Sequence, residues 1–220
     1  VRLSAGDKFP VIYGTSYQRN EEGQIVVDEN GMPTLGENRV LGNVSPDFRM
    51  GFNTTFEFYK FRLSAVLDWK QGGCMYAGSV STLDYYGVTQ KSANYRKADH
   101  FYFEKPAVKQ LADGSYAPND IKISGENAYN YFDRLSTISE AGVYGSFLKL
   151  REIALSYPVL NKSYLGVTVN VFARNLLLWS EMDNGIDPES SQGNNNMAGA
   201  FERFSLPGTS SYGFGITVKF

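Results

Sequence analysis

The end of the chain restricts its fold more than any other segment. From Ser211 to Phe220, the residues Tyr212, Phe214, Ile216, Val218 and Phe220 alternate with Ser211, Gly213, Gly215, Thr217 and Lys219. A period of two puts the large apolar set on one face of a strand and the small or polar set on the other. Two environments suit such a strand. In a soluble sandwich the apolar face covers a second sheet, whereas in a membrane barrel it meets lipid and the polar face lines a wet interior.

Other segments repeat the pattern. Phe48, Met50, Phe52, Phe56 and Phe58 alternate with Arg49, Gly51, Asn53, Thr55 and Glu57. Phe61, Leu63, Ala65, Leu67 and Trp69 alternate with Arg62, Ser64, Asp68 and Lys70, and only Tyr59 and Lys60 separate the two runs, which predicts a tight hairpin. Val167, Val169, Val171 and Ala173 alternate with Thr168, Asn170 and Arg174, with Phe172 the exception on the polar side. In Phe147–Tyr157 the phase slips: Leu148 and Leu150 share one phase, while Ile153, Leu155 and Tyr157 share the other. That slip predicts a bulge near Arg151–Glu152.

The connections are unequal. The turn at Tyr59 and the segment 158–165 are short, whereas 71–146 and 175–210 are long. Short turns on one side and long loops on the other is the pattern of outer-membrane barrels. A strand ending on an aromatic, as at Phe220, also resembles the signal read by the barrel assembly machinery. With Phe220 on the periplasmic side, parity puts both long loops outside. The expected organisation is an extracellular loop or hairpin over 1–46, a strand hairpin over 47–70 and a long extracellular loop over 71–146. A strand hairpin over 147–174, an extracellular loop over 175–209 and the terminal strand over 210–220 follow.

Composition agrees with β structure and narrows the function classes. There are 15 Tyr, 15 Phe and 22 Gly, a mix that favours strands and turns over helices. The net charge of -2, without a long basic run, gives no support for nucleic-acid binding. One cysteine, Cys74, makes no intrachain disulfide, and with one histidine, His100, it cannot build the usual zinc cluster. The chain starts at Val1 with no leader-like segment. No run approaches the roughly 18 apolar residues of a membrane helix, which leaves strand-spanning proteins open.

Inside the long segments some local structure is readable. Asn30-Gly31, between Ile25–Asp28 and Met32–Leu35, suggests a small exposed hairpin. Ser124 to Leu135 reads as a short helix with Ser124 as N-cap, and Gln192–Met197 as a mobile Asn-rich stretch. Asp183, Asp187 and Glu189 have the chemistry for paired-carboxylate hydrolysis or for calcium, but carboxylates this close in a Gly-Pro loop read first as turn formers. No catalytic residue, cofactor site or metal site is expected.

Several motifs resemble the late part of SusC/RagA-family TonB-linked outer-membrane transporters. Gly42-Asn43-Val44-Ser45-Pro46-Asp47-Phe48 is similar to a segment leading into a late strand, and Trp69-Lys70-Gln71-Gly72-Gly73 to a strand running into a Gly-Gly loop. The strongest match is Ser146–Tyr157 (SFLKLREIALSY). Phe172-Ala173-Arg174-Asn175-Leu176, Gly185-Ile186-Asp187-Pro188-Glu189 and the closing Pro207–Phe220 follow in the family's order. The resemblance covers roughly 42–220.

It implies an all-β chain forming the C-terminal strands of a plugged antiparallel transmembrane barrel of about twenty-two strands, with long extracellular loops. It implies a multi-pass protein of a Gram-negative outer membrane that imports oligosaccharides or peptides. The expected partners are a SusD-like lipoprotein lid, TonB (through an N-terminal region outside this sequence), the remainder of the same barrel and outer-membrane lipid. About five strands cannot close such a barrel without leaving open edges in lipid, so the chain reads as one section of it. Tyr212, Phe214, Ile216, Val218 and Phe220 would face the membrane and carry the assembly signal. Trp69 and Trp179 would belong to an aromatic girdle. Tyr76, Tyr85, Tyr86, Tyr129 and Tyr131 are candidate contacts to cargo or lid, with packing among the loops as the competing role. The alternatives are a TonB-dependent siderophore or vitamin receptor, which should lack the Ser146–Tyr157 and Gly185–Glu189 segments, and a soluble secreted β-sandwich.

Overall fold

The computed structural model describes residues 1, 2, 6, 8–182, 186–193, 198–206 and 208–220. The chain divides into two compact units.

One unit, residues 46–73, 145–190 and 206–220, is a five-stranded antiparallel meander. Its strands are β1 (Pro46–Phe58), β2 (Phe61–Gly72), β3 (Phe147–Lys162), β4 (Leu165–Ser180) and β5 (Ser211–Lys219). Neighbours in sequence are neighbours in the sheet. The alternating runs become these strands because each presents one predominantly apolar face. The register aligns those faces: Met50 pairs with Trp69, Phe56 with Leu63, Leu155 with both Leu63 and Val171, and Val171 with Phe214. The slip between Leu150 and Glu152 appears as a register shift in both pairings of β3. It returns Ile153, Leu155 and Tyr157 to the face that Leu148 and Leu150 occupy.

β3 and β4 are each 16 residues long and extend beyond the alternating segments. The alternation breaks in β4 where Asn175 takes a positive φ of 51° opposite the β3 bulge. Leu177 and Trp179 keep the phase of Val167, Val169, Val171 and Ala173, pairing with Leu150 and Leu148. The short turns are at Tyr59-Lys60, with Tyr59 at φ 54°, and at Ser163-Tyr164. Phe172, on the polar face, lies over Gly213 of the neighbouring strand, where any Cβ would collide with its ring. The glycine is therefore the socket for that ring.

The other unit gathers residues 1–45, 74–144 and 191–205. It is a folded body with its own core, where the sequence pointed to loops carrying a small hairpin and a short helix. Strand Val11–Tyr17 pairs antiparallel with Leu35–Asn43, and Ile25–Val27 pairs parallel with Ala107–Gln110, which Tyr116–Pro118 completes. Three helices follow: α1 (Gly78–Tyr85), α2 (Gln90–Lys97) and α3 (Ala128–Thr137). α3 grows out of a 3-10 turn capped by Ser124, whose side chain accepts from the Glu126 N–H. Ala128, Tyr131, Phe132 and Leu135 are buried at helical spacing. Tyr131, Phe132 and Leu135 join Tyr17, Ile25, Val27, Met32, Phe103, Ile123 and Ile138 to form the core. Around Asn30-Gly31 the chain does reverse, with Asp28 N–H donating to the Met32 carbonyl and Gly31 at φ 76°.

Candidate functional site

The five-stranded sheet carries two chemically different faces, and its apolar face is exposed. Tyr212, Phe214, Ile216, Val218 and Phe220 of the terminal segment all lie on that side with about half or more of their surface open. β5 pairs only with β4 among the described residues, so its other edge is free.

On the three central strands, β2 to β4, the aromatic rings of this face fall into two rows, while Phe52 and Phe56 of β1 and Tyr212 and Phe214 of β5 lie between those levels. Leu148 pairs with Trp69 on one side and Trp179 on the other, which sets the two indoles at one level, with Phe48 edge-on to Trp69 at 5.0 Å. At the opposite end Phe58 pairs with Phe61, whose ring lies 4.7 Å from that of Tyr157. Between the rows of β2 lie Leu63, Ala65 and Leu67. Trp69 and Phe61 are separated by about 26 Å along the strand at 3.3 Å per residue. The register also sorts the connections. Pro46 pairs with Gly72, Lys70 with Phe147 and Phe147 with Ser180, so all three long segments leave from the tryptophan end. Both short turns lie at the other.

The polar face holds a charge cluster near the tryptophan end. Lys149 is buried, with its Nζ 2.5 Å from Asp187 Oδ1 and 2.6 Å from Glu189 Oε2. Arg151 grips Glu189 with two nitrogens at 2.7 Å each and reaches Asp68 at 2.5 Å. Burial alone would raise the Glu189 carboxyl pKa, but Arg151 and Lys149 pull it down to about 2. Asp187 and Glu189 are thus anchors that strap residues 186–190 to the sheet, and neither is poised as an acid or a nucleophile. Asp183 lies outside the described residues, as do Gly185, Pro207 and Asn194–Met197 of the Asn-rich stretch.

In the other unit the candidate tyrosines separate. Tyr85, Tyr86 and Tyr129 come together at the end of α1 and the start of α3: ring centroids of Tyr85 lie 5.0 Å from Tyr86 and 5.7 Å from Tyr129, and the Tyr129 hydroxyl donates to that of Tyr85. Tyr86 and Tyr129 are exposed. Tyr76 is half-buried against Phe201 and Gly142. Tyr131 is fully buried, stacked on Tyr95 and edge-on to Phe101 and Phe132. The expectation that it touches cargo or lid is corrected: its position on the inner face of α3 makes it core. His100 is an exposed residue beside Tyr102, and no cluster of His, Cys, Asp or Glu among the described residues could hold a metal.

Two polar centres in this unit escaped sequence reasoning. Glu140 accepts from the Tyr17 N–H at 2.9 Å and from Arg19 and Arg39 at 2.6 and 3.2 Å. Burial would raise its pKa, but the Tyr17 N–H and the two arginines hold it below the usual carboxylate range. Glu202, almost fully buried, accepts from the Ser79 N–H and hydroxyl at 3.2 and 2.7 Å, at the start of α1. The partners are more than a hundred residues apart, and no local pattern marks them.

Similarity to known proteins agrees with this geometry. No family model matches the sequence. A curated protein, TonB-dependent receptor P3 of Formosa agariphila (strain DSM 15362 / KCTC 12365 / LMG 23005 / KMM 3901 / M-2Alg 35-1), is 22% identical over 210 residues, 88% of this chain and 18% of that protein. A structure of the RagAB peptide transporter superposes with a TM-score of 0.51 at 19% identity, covering 94% of this chain and 22% of the matched one. The RagAB peptide importer in its "open-open" state gives 0.52 at 16% identity, covering 96% and 22%. The chain spans about a fifth of the length of these relatives. It therefore has the fold of one section of a TonB-linked transporter barrel of the SusC/RagA type.

Proposed function

We infer that this chain supplies five adjacent strands and the outer loops that join them in a TonB-dependent outer-membrane importer of oligosaccharides or peptides. The observation that carries this reading is the apolar face bounded by two aromatic rows. A transmembrane barrel needs an apolar band of about 25 Å between aromatic girdles, and the rows at Trp69/Trp179 and Phe61/Tyr157 frame one of that scale. Lipid is the partner of that face, and Tyr212, Phe214, Ile216, Val218 and Phe220 are among the side chains it meets. The free edges of β1 and β5 pair with the remainder of the same barrel. The long segments at the tryptophan end are extracellular, and a SusD-like lipoprotein covers the mouth. Tyr76, Tyr85, Tyr86 and Tyr129 sit on those segments, where the exposed pair Tyr86 and Tyr129 offers ring faces to a lid or a cargo. TonB engages a region outside this chain.

Reconstitution of the full-length protein with lipids brominated at graded depths tests this. Trp69 and Trp179 should both be quenched by shallow bromines. Fluorescence indifferent to every brominated lipid would remove the membrane reading, and a preparation lacking a co-purifying lipoprotein would remove the lid.

A further inference from the structure

The unit formed by residues 1–45, 74–144 and 191–205 contains a pocket of about 470 Å³ lined by Arg19, Gly23, Gln24, Ile25, Lys105, Pro106, Ala107, Val108 and Pro118. That volume lies in the range of small-ligand sites. Its walls are mostly hydrocarbon, from Ile25, Pro106, Ala107, Val108 and Pro118.

The charge around it does not balance. Glu140 is shared by Arg19 and Arg39, and Glu104 is taken by Lys91 at 2.7 Å. Lys105, at the rim, lies over the ring of Tyr17, 4.9 Å from the centroid, and makes no close ion pair among the described residues; Glu140 and Glu104 act on it only from farther off. An ammonium whose nearest carboxylates, Glu140 and Glu104, are already held by Arg19, Arg39 and Lys91, beside an apolar wall, favours a molecule with an anionic head and an apolar body. We propose that this pocket binds an apolar carboxylic acid, its carboxylate on Lys105 and its hydrocarbon on Ile25, Pro106 and Pro118. The same chemistry is offered by a peptide ending in an aliphatic residue and by a free medium-chain acid. This inference does not depend on lipid contact or on transport.

The test is calorimetric titration of the full-length protein in detergent with N-acetyl-leucyl-leucine, its carboxamide, and octanoate below its micellar concentration. At least one acid should bind, the carboxamide at least tenfold more weakly, and whichever acid binds more tightly identifies the source. Lys105→Gln should weaken the acid at least tenfold. Lys105→Arg should restore it, and Lys97→Gln on α2 should leave it unchanged. Equal affinity for acid and carboxamide, no binding of either acid, or loss with Lys105→Arg as complete as with Lys105→Gln would each overturn the proposal. Melting curves of the variants separate lost binding from lost fold.

Discussion

Lys149 is a cation almost wholly withdrawn from water, and its desolvation is tolerable only because Asp187 and Glu189 meet it at 2.5 and 2.6 Å. Removing one member of such a group strands the others. Lys149→Ala should therefore cost about 3–5 kcal/mol, read as a lower unfolding midpoint, whereas a change at exposed Lys122 should cost little. Glu189 adds a pH signature. Its folded pKa of about 2 lies below its ordinary value of 4.5. A depressed carboxyl stabilises the fold above its unfolded pKa, and that contribution fades as pH falls from about 4.5 towards about 2. The melting difference between the parent and Glu189→Gln should be full at neutral pH and shrink across that window. A difference that stays constant down to pH 2 would mean that the strap on Arg151 is not what lowers the carboxyl.

At the scale of elements, the Phe172–Gly213 contact makes a reciprocal prediction. Gly213→Val forces a methyl-bearing Cβ into the Phe172 ring and should cost about 1–3 kcal/mol. In the Phe172→Ala background the same change should cost far less, which a double-mutant cycle measures. The strands were legible because one apolar and one polar face leave a period of two in the sequence, as in β1, β2 and β5. The bulge was legible for the same reason, as a phase change between Leu150 and Ile153. What stayed hidden was whatever depends on remote partners. The strand pair Val11–Tyr17 with Leu35–Asn43 and helices α1 and α2 have short or mixed patterns. They hold their form through the shared core and through Glu140 and Glu202. Tyr131 shows the limit most clearly: its residue type suits a binding surface, but its spacing with Ala128, Phe132 and Leu135 puts it inside. Loss of Glu202 should release α1, and Glu202→Ala should cost about 1–3 kcal/mol through its unmet donors, with faster amide exchange over Gly78–Tyr85.

For the whole molecule, the two faces of the sheet set different tolerances. Val171 and Phe214 pair on the apolar side, and Thr217 sits on the polar side, hydrogen-bonded to Asn170. In the proposed membrane setting, Val171→Lys should cost about 2–4 kcal/mol when folding into liposomes is followed, and Thr217→Lys much less. A soluble sandwich would make the first change costly in the absence of lipid as well.

The second unit is assembled from three stretches of chain separated by strand pairs. Ser79 and Glu202 meet across 123 residues, and Tyr17 and Glu140 likewise across 123. Contacts of such separation form slowly, because the intervening chain must be ordered before they can close. During synthesis the first two stretches leave the ribosome without the residues that complete them. The unit therefore cannot be complete until its third stretch, residues 191–205, has joined the other two, and its full resistance to protease should arrive only then.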